Sequence, residues 1–306
     1  MDTKIREALK PCGYKVKTVS IAHLPEIQES VATLIRQRLI NKRLADKWHF
    51  YRTPNTELPE AKTIIIAALP QAVTRLTFTW QGRDYPAEVA PGYFSAADEA
   101  RAAEILNQVL GDGGYKISKA RLPLKTLAVR SGLAKFGKNN LAYVPGMGSF
   151  CRLIAFYSDA PCEEDNWQES AAINICEKCT LCLENCPNGN IDAERFLIHA
   201  ENCLGFLNEI EPDFPYWVQY QPDRLNAFVG CMRCQSACPV NRPYLKNIKA
   251  GPSFSEEETA LILNKTPWEQ LPPESRKKLE DIRGIYPLIA CNLSALMGKQ
   301  RQAGQK

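Results

Sequence analysis

Cysteine is the residue type whose spacing most clearly indicates chemistry in this chain. Eight of its 12 cysteines fall between residues 176 and 238, and they follow the spacing C-x2-C-x2-C-x3-C-P once in full and once with the leading cysteine displaced. They are Cys176, Cys179, Cys182, Cys186, Cys203, Cys231, Cys234 and Cys238. Each iron of a cubane cluster takes one soft thiolate, and this spacing is that of bacterial iron–sulfur proteins. The sequence therefore predicts two [4Fe–4S] clusters.

The spacing also predicts which cysteines share a cluster. In two-cluster ferredoxins the cysteine before the proline binds the cluster of the other motif. One predicted ligand set is therefore Cys176, Cys179, Cys182 and Cys238, and the other is Cys186, Cys203, Cys231 and Cys234. No local spacing dictates Cys203. Zinc is disfavoured because its sites take four ligands from paired C-x2-C motifs, and structural disulfides need an oxidising compartment.

Composition limits the class of protein. The chain has 306 residues, enough for two ordinary domains, and its 45% of hydrophobic and 24% of charged residues are typical of a globular protein. Its net charge of +4 is too small to indicate nucleic-acid binding by itself, which leaves such binding open. The first residues lack the apolar core of a signal peptide, and no apolar run reaches the length of a membrane span. We therefore expect a cytoplasmic protein without a membrane segment.

Hydrophobic periodicity predicts the elements around the cysteines. Helices are expected at 3–10, 24–39, 95–110 and 122–131, and strands at 15–22, 63–69, 115–118, 141–144 and 150–157, with a hairpin around Gly82. The continuous β-branched run at 63–69 indicates a central strand covered on both faces. The sequence thus predicts an α/β N-terminal domain with one main sheet (1–165), a bacterial ferredoxin-like double-cluster domain (166–248) and a helical C-terminal tail (249–306).

Four further segments carry specific expectations. Residues 41–60 are polar and aromatic and predict a loop or lid, and residues 193–210 predict a helix that runs through Cys203. The proline- and aromatic-rich stretch at 211–226 would shield a cluster or form an ordinary surface loop. Ser255 and Glu258 form a capping box for a helix at 256–264, and another helix is expected at 273–283.

The segment before the cysteines carries a family resemblance. Residues 122–150 read LPLKTLAVRSGLAKFGKNNLAYVPGMGSF, with K-x-L-A-x-x-S-G-L, G-K-N and G-S-F upstream of the double motif. This combination resembles the epoxyqueuosine reductase-like family, whose relatives include corrinoid-dependent reductive dehalogenases. The resemblance implies a cobalamin in the α/β domain, to which the clusters pass single electrons. It also implies an electron donor such as ferredoxin or flavodoxin, and a small-molecule or modified-nucleoside substrate.

The resemblance also suggests residues that would contact the cofactor. Backbone at a glycine approaches a bulky macrocycle closely, and amide or ammonium groups would bind its polar arms. The candidate residues are Lys125, Gly132, Lys138, Asn139, Asn140, Gly146, Gly148 and Ser149, with Gly137 as a further close-approach position. The alternative is that these glycines only form turns.

Candidate proton donors mark where the chain departs from the family. Ser118 occupies the position of the family's acidic residue, and the family's Asp-Tyr-His segment is replaced by residues 98–100, which read Asp-Glu-Ala. Ser118, Tyr143 and Tyr93 are the candidates that remain. These departures predict a short, divergent member with a different substrate. The alternative is an electron-transfer protein that reduces a partner, for example a corrinoid protein, without substrate chemistry of its own.

Overall fold

A computed structural model describes residues 1–42, 44, 58–209 and 224–303. In chain order, the α-helices are α1 (Asp2–Leu9), α2 (Leu24–Arg36), α3 (Ala96–Gly111), α4 (Leu124–Arg130), α5 (Leu181–Glu184), α6 (Leu204–Leu207), α7 (Arg233–Ser236), α8 (Glu256–Leu263), α9 (Pro273–Leu279) and α10 (Tyr286–Ala303). The strands are β1 (Lys15–Ser20), β2 (Thr63–Pro70), β3 (Val73–Trp80), β4 (Arg83–Val89), β5 (Ile117–Lys119), β6 (Lys135–Phe136), β7 (Ala142–Tyr143), β8 (Cys151–Ser158) and β9 (Ile248–Phe254).

The chain divides into two compact units. Unit 1 comprises 1–71, 95–180 and 192–198, and unit 2 comprises 72–94, 181–191 and 199–306. This division follows internal contacts, and it differs from the three domains that the sequence predicts, which stay a prediction.

Unit 1 is built on an antiparallel sheet in the order β1-β2-β8-β5. The predicted central strand is confirmed: every residue from Thr63 to Leu69 is buried. Its side chains alternate between two cores, as strand geometry requires. Ile65, Ala67 and Leu69 pack with residues of α1 and α3, whereas the intervening residues pack with residues of α4. The N-terminal region is therefore a mixed α/β layer, as predicted.

Unit 2 contains a smaller sheet in the order β4-β3-β9. The predicted hairpin is confirmed, with Gln81 and Gly82 in the turn between β3 and β4. The strand β9 was not predicted: it begins the segment expected to be helical, and it pairs with β3 in parallel. Its Phe254 stacks on Phe78 at 4.6 Å between ring centroids, in a core that includes residues of α8, α9 and α10.

Two helix predictions need correction. The helix expected at 193–210 is wrong, because the helical elements among its described residues, 193–209, are a 3-10 turn at Ala200–Asn202 and the single turn of α6. Cys203 lies between them in extended conformation, with φ −67° and ψ 124°, which interrupts any helix. The helix expected at 273–283 is α-helical only to Leu279 and continues as a 3-10 helix at Glu280–Ile285, within which Ile282 leaves helical geometry.

Other expectations are confirmed or lie outside the described residues. The capping box at Ser255 and Glu258 is present and opens α8. Most of 41–60 and of 211–226 lies outside the described part of the chain. No helix within the described ranges has the length and apolar character needed to cross a membrane.

Candidate functional site

The cysteines of unit 2 lie on and around two one-turn helices. Cys182 lies on α5 and Cys234 lies on α7, and these helices contact each other. Each is followed by a Cys-Pro pair, which ends the helix because proline disfavours helical conformation in the residue before it. The duplicated sequence motif is therefore a duplicated local structure.

Four thiols in unit 2 lie close enough to interact electrostatically with Cys234. They are Cys182, Cys186, Cys203 and Cys231. Burial raises the pKa of the Cys234 thiol, and the charges of these neighbours raise it further. The structure therefore brings together the four cysteines of the second predicted ligand set and Cys182 of the first, and which of them share a cluster stays a prediction. Partly buried thiolates that repel one another are a donor set that suits a cationic iron–sulfur core.

Hydrogen-bond donors point at the sulfur atoms of this group. Burial raises the pKa of Cys203, while the backbone N–H groups of Phe206 and Gly205 donate to its sulfur and lower the pKa. Asn226 donates from Nδ2 to Sγ of Cys231 at 3.3 Å. Such hydrogen bonds tune the reduction potential of a cluster. Sequence reasoning missed Asn226, whose only local signal is an amide residue five positions before a motif cysteine.

A second layer of amide contacts fixes the backbone before Cys231. Asn208 donates from Nδ2 to the Gly230 carbonyl at 2.7 Å and accepts from the Gly230 N–H at 3.2 Å. Asn292 of α10 donates to the carbonyls of Asn208 and Phe228, at 3.0 and 3.1 Å. Both asparagine side chains are buried. The C-terminal helix therefore helps to position the second cysteine motif.

Tyr93, one of the predicted proton donors, contacts a partly buried acid. Its hydroxyl donates to the carboxylate of Glu209, and burial raises the pKa of Glu209 to about 7. The Tyr93 ring also lies against Gly230. Sequence reasoning missed Glu209, because nothing in its neighbourhood distinguishes it from an exposed glutamate.

In unit 1, the G-K-N turn is tied to the first cysteine motif. Phe136 donates its N–H to Ala171 and accepts from Ile173, at 2.8 and 2.9 Å. Lys138 donates from Nζ to the carbonyl of Cys179 at 3.2 Å. The turn therefore holds the chain that leads into Cys176.

The first predicted ligand set stays a prediction. Cys176 and Cys179 belong to unit 1, whereas Cys182 and Cys238 belong to unit 2. All 12 cysteines are free thiols. Across the described ranges, no three His, Cys, Asp or Glu side chains form a group for a single metal ion. The ligands of a cubane cluster need not converge on a single ion, because each thiolate binds its own iron.

Several predicted cofactor contacts bind one another. Lys125 donates to the carbonyl and side-chain oxygens of Asn140 at 2.9 and 3.2 Å. Asn139 donates to the Tyr143 hydroxyl at 2.9 Å, and Tyr143, a predicted proton donor, is 5% exposed. A Cβ on Gly137 would lie 2.5 Å from the Tyr143 ring, so this glycine serves internal packing.

The remaining candidates lie in turns and on an edge strand. Gly132 and Gly146 have φ +72° and +74°, and a Cβ there would meet the side-chain ends of Gln168 and Lys15 at 3.1 and 3.4 Å. Gly148 also has positive φ, and Ser149 is buried. Ser118 lies on β5, opposite Tyr157 of β8.

Comparisons with known proteins match this architecture. The model of a 4Fe-4S double cluster binding domain matches residues 175–241. Epoxyqueuosine reductase of Vibrio cholerae is 31% identical over 144 residues, which cover 46% of this chain and 37% of that protein. The chain is similar to the epoxyqueuosine reductases, and the matches span half or less of the length of the first of these curated relatives.

Solved structures of epoxyqueuosine reductases share the fold. The enzyme from Streptococcus thermophilus aligns with TM-score 0.65 and 17% identity, covering 97% of this chain and 80% of that one. A complex of an epoxyqueuosine reductase with an epoxyqueuosine-modified tRNA stem loop aligns with TM-score 0.63 and 18% identity, with the same coverage. The likeness to epoxyqueuosine reductases extends over nearly the whole chain at the level of the backbone.

Proposed function

We propose that this protein is an iron–sulfur oxidoreductase that passes single electrons through two [4Fe–4S] clusters to a bound cobalamin for reductive chemistry. The observation that carries the proposal is the group of partly buried thiols around Cys234, within a segment that matches a double-cluster domain. We also propose a cytoplasmic location, because cysteines that serve as cluster ligands are kept reduced in such a compartment.

The protein's own residues would shape the second cluster. The N–H groups of Gly205 and Phe206 and the amide of Asn226 donate to thiolates, which stabilises the reduced and more negative cluster. Burial of Cys203 and Cys234 limits access of water. Both effects would hold the reduction potential of the second cluster within a defined range.

The fit of a cobalamin to unit 1 is less complete. The space beside Gly137 is filled by the Tyr143 ring. The atoms nearest to Gly132 and Gly146 are the side-chain ends of Gln168 and Lys15, and movement of these side chains would expose the glycine backbone to a ligand. When bound, a cobalamin supplies a strongly reducing, nucleophilic cobalt centre. Lys125, Lys138, Asn139, Asn140, Gly148 and Ser149 are the further residues that we assign to holding it.

The identity of the substrate is a separate question from the redox chemistry. A neighbouring structure contains a modified tRNA stem loop, which makes a modified nucleoside the first class to test. Because Ser118 cannot replace a carboxylic acid as a strong proton donor, we expect a substrate other than epoxyqueuosine. Epoxyqueuosine-containing tRNA is the reference substrate in such a screen.

Metal analysis tests the proposal directly. The chain would be purified without oxygen from cells supplied with cobalamin, and its iron, cobalt and visible spectrum measured. We expect about eight iron atoms and one cobalt atom per chain. Iron at that level without cobalt, even after reconstitution with cobalamin, would exclude the corrinoid part of the proposal.

One observation favours a second function, that of an electron-transfer protein. The predicted cofactor residues Lys125, Asn139 and Asn140 already bind partners within the protein. Under this alternative the clusters reduce a partner such as a corrinoid protein. A stable complex with such a partner, formed without bound cobalamin, would distinguish it from the enzyme.

A further inference from the structure

A pocket of about 320 Å³ lies in unit 1 beside the strand β1. It is lined by residues of α1, of the turn that follows α1, of β1 and of the turns at Gly132 and Pro145. Because β1 is an edge strand of the four-stranded sheet, the pocket lies at the margin of that sheet. Its volume is in the range of sites that hold small molecules.

The charged side chains that line this pocket are all cations. They are Arg6, Lys10, Lys15 and Lys17. No carboxylate is found among the described residues of the lining, although Arg6 pairs with Glu164 from outside it. The positive charges of three lysines therefore share a small space. An anion that enters would relieve the repulsion between them.

The three lysines have no carboxylate partner in the described part of the chain. Lys15 donates to the carbonyl of Pro145, and Lys17 donates from Nζ to Oδ1 of Asn166 at 2.8 Å. Both acceptors are neutral, so neither bond cancels an ammonium charge. The side chain of Lys10 is exposed and makes no hydrogen bond or ion pair with any described residue. An anionic ligand would therefore replace neutral partners and would not compete with a carboxylate.

The pocket and the candidate proton donor Ser118 lie at opposite edges of the sheet. The outer strands of the order β1-β2-β8-β5 are β1 and β5, and Ser118 lies on β5. Neighbouring strands are about 4.8 Å apart, so roughly 14 Å separates the two edges. Gly132 lines the pocket and is also assigned to the cobalamin, whereas none of the four cations is. The charges of the pocket are therefore not explained by the proposed function.

We propose that Lys10, Lys15 and Lys17 bind a phosphate group, at a site that we call the phosphate pocket. A phosphate ester carries about two negative charges near neutral pH, whereas a carboxylate carries one, so it matches three ammonium groups better. The phosphate belongs either to a phosphorylated small molecule or to the backbone of a nucleic acid, because both present the same oxygen atoms. Binding forms and breaks no covalent bond, and it requires neither the clusters nor the cobalamin.

Isothermal titration calorimetry with inorganic pyrophosphate tests the site on the full chain, purified without oxygen. We expect one pyrophosphate to bind per chain, with an affinity that falls as sodium chloride is added, because salt screens exposed charges. Lys10→Ala and Lys15→Ala should each weaken binding about tenfold, since each removes a hydrogen bond between charged groups. Acetate at the same concentration should not displace pyrophosphate, because it carries a single charge.

Lys4→Ala is the matched control. Lys4 is an exposed lysine of α1 that does not line the pocket, so its removal lowers the net charge equally and should leave binding unchanged. Melting temperatures are measured first to show that all variants fold. Absence of pyrophosphate binding, or equal losses in Lys4→Ala and in the pocket variants, would overturn the phosphate pocket. Lower cobalt content in Lys15→Ala with unaltered pyrophosphate binding would assign this lysine to the cofactor and also overturn it.

A second titration distinguishes the two sources of phosphate. A short single-stranded RNA without modified nucleosides is titrated into the wild type and into Lys10→Ala. RNA binding that pyrophosphate displaces and that Lys10→Ala weakens would identify a nucleic-acid backbone as the ligand. Pyrophosphate binding that the RNA does not displace would identify a phosphorylated small molecule. Neither titration depends on iron or cobalt content, so its outcome is separate from that of the metal analysis.

Discussion

Gly230 shows how one residue sets the geometry before a cysteine motif. It adopts φ +77°, and a Cβ there would lie 2.8 Å from Cβ of Ala90 and 3.1 Å from the Tyr93 ring. We predict that Gly230→Ala lowers the melting temperature and destabilises the protein by about 2–3 kcal/mol, from backbone strain and overlap together. Thermal unfolding of the anaerobic protein measures this.

A matched glycine separates the two causes. Gly82 has φ +69° in the turn before β4, but a Cβ there would meet no atom within 4 Å. Gly82→Ala should therefore show the backbone strain alone, about 1 kcal/mol. Equal losses in the two variants would contradict a steric role for Ala90 and Tyr93.

Glu209 makes stability depend on pH. Burial raises its pKa to about 7, above the ordinary value of about 4.3, so the folded protein binds more protons than the unfolded chain between these values. The stabilising contribution is complete below about pH 4 and is lost as pH rises through 7. We predict a fall in the free energy of unfolding of about 2 kcal/mol between pH 5 and 8, measured by denaturant titration.

Substitution of Glu209 measures how much of the pH dependence of stability comes from its carboxyl group. Glu209→Gln keeps a polar group beside Tyr93 but removes the titration, so the slope over this pH range should flatten. Glu269→Gln changes an exposed carboxylate of the same unit and should leave the slope as in the wild type. If both variants retain the wild-type slope, another group causes the pH dependence.

At the scale of elements, the cap of α8 links sequence to packing. The Ser255 hydroxyl accepts from the Glu258 N–H at 3.3 Å, and the Glu258 carboxylate accepts from the Ser255 N–H at 2.9 Å. Glu258 also accepts from Lys278 and Ser275 of α9 at 2.6 and 2.8 Å. We predict that Ser255→Ala lowers the free energy of unfolding by about 1 kcal/mol, whereas Ser255→Thr stays near the wild type. Denaturant unfolding of both variants would contradict this role of the hydroxyl if Thr lost as much as Ala.

Elements with local signals could be predicted, and those that depend on distant partners could not. The buried run of β2 and the capping box of α8 are readable because their causes lie within a few residues. The strand β9 pairs with β3, and the paired residues Val73 and Ile248 are 175 positions apart in the sequence. No local sequence pattern predicts that pairing. The helix predicted through Cys203 failed because the placement of its sulfur among the other thiols overrides helical propensity.

The same limit applies to the candidate site. The motif cysteines follow from spacing alone, whereas Asn226, Glu209 and Asn292 contribute through contacts formed only in the folded chain. The role of the glycines in the 122–150 segment could not be predicted for a related reason. A glycine allows close approach of a ligand or of a protein side chain, and the sequence does not distinguish the two. At Gly137 the structure shows the close approach of a protein side chain, the ring of Tyr143.

At the scale of the whole molecule, Cys203 is the predicted ligand of one cluster that lies outside the two cysteine motifs. We predict that Cys203→Ser lowers iron from about eight to about four atoms per chain, because a cubane that lacks one thiolate is not retained. The matched control is Cys291→Ser on α10, which lies outside the motifs. Iron analysis and the visible spectrum measure the loss, and full iron in Cys203→Ser would show that another residue completes the set.

Removal of both clusters should affect the two units differently. Metal binding contributes directly to folding where the ligands lack a large apolar core, as along 176–186 and 231–241, whose regular elements are single turns. The strand β2 instead pairs with β1 and β8 and lies between two apolar cores. We therefore predict that chelation of iron abolishes hydrogen-exchange protection in the cysteine segments and leaves β2 protected. Exchange measured by mass spectrometry on the holo and chelated protein tests this, and loss of protection in β2 would show that the clusters hold the entire chain together as one cooperative structure.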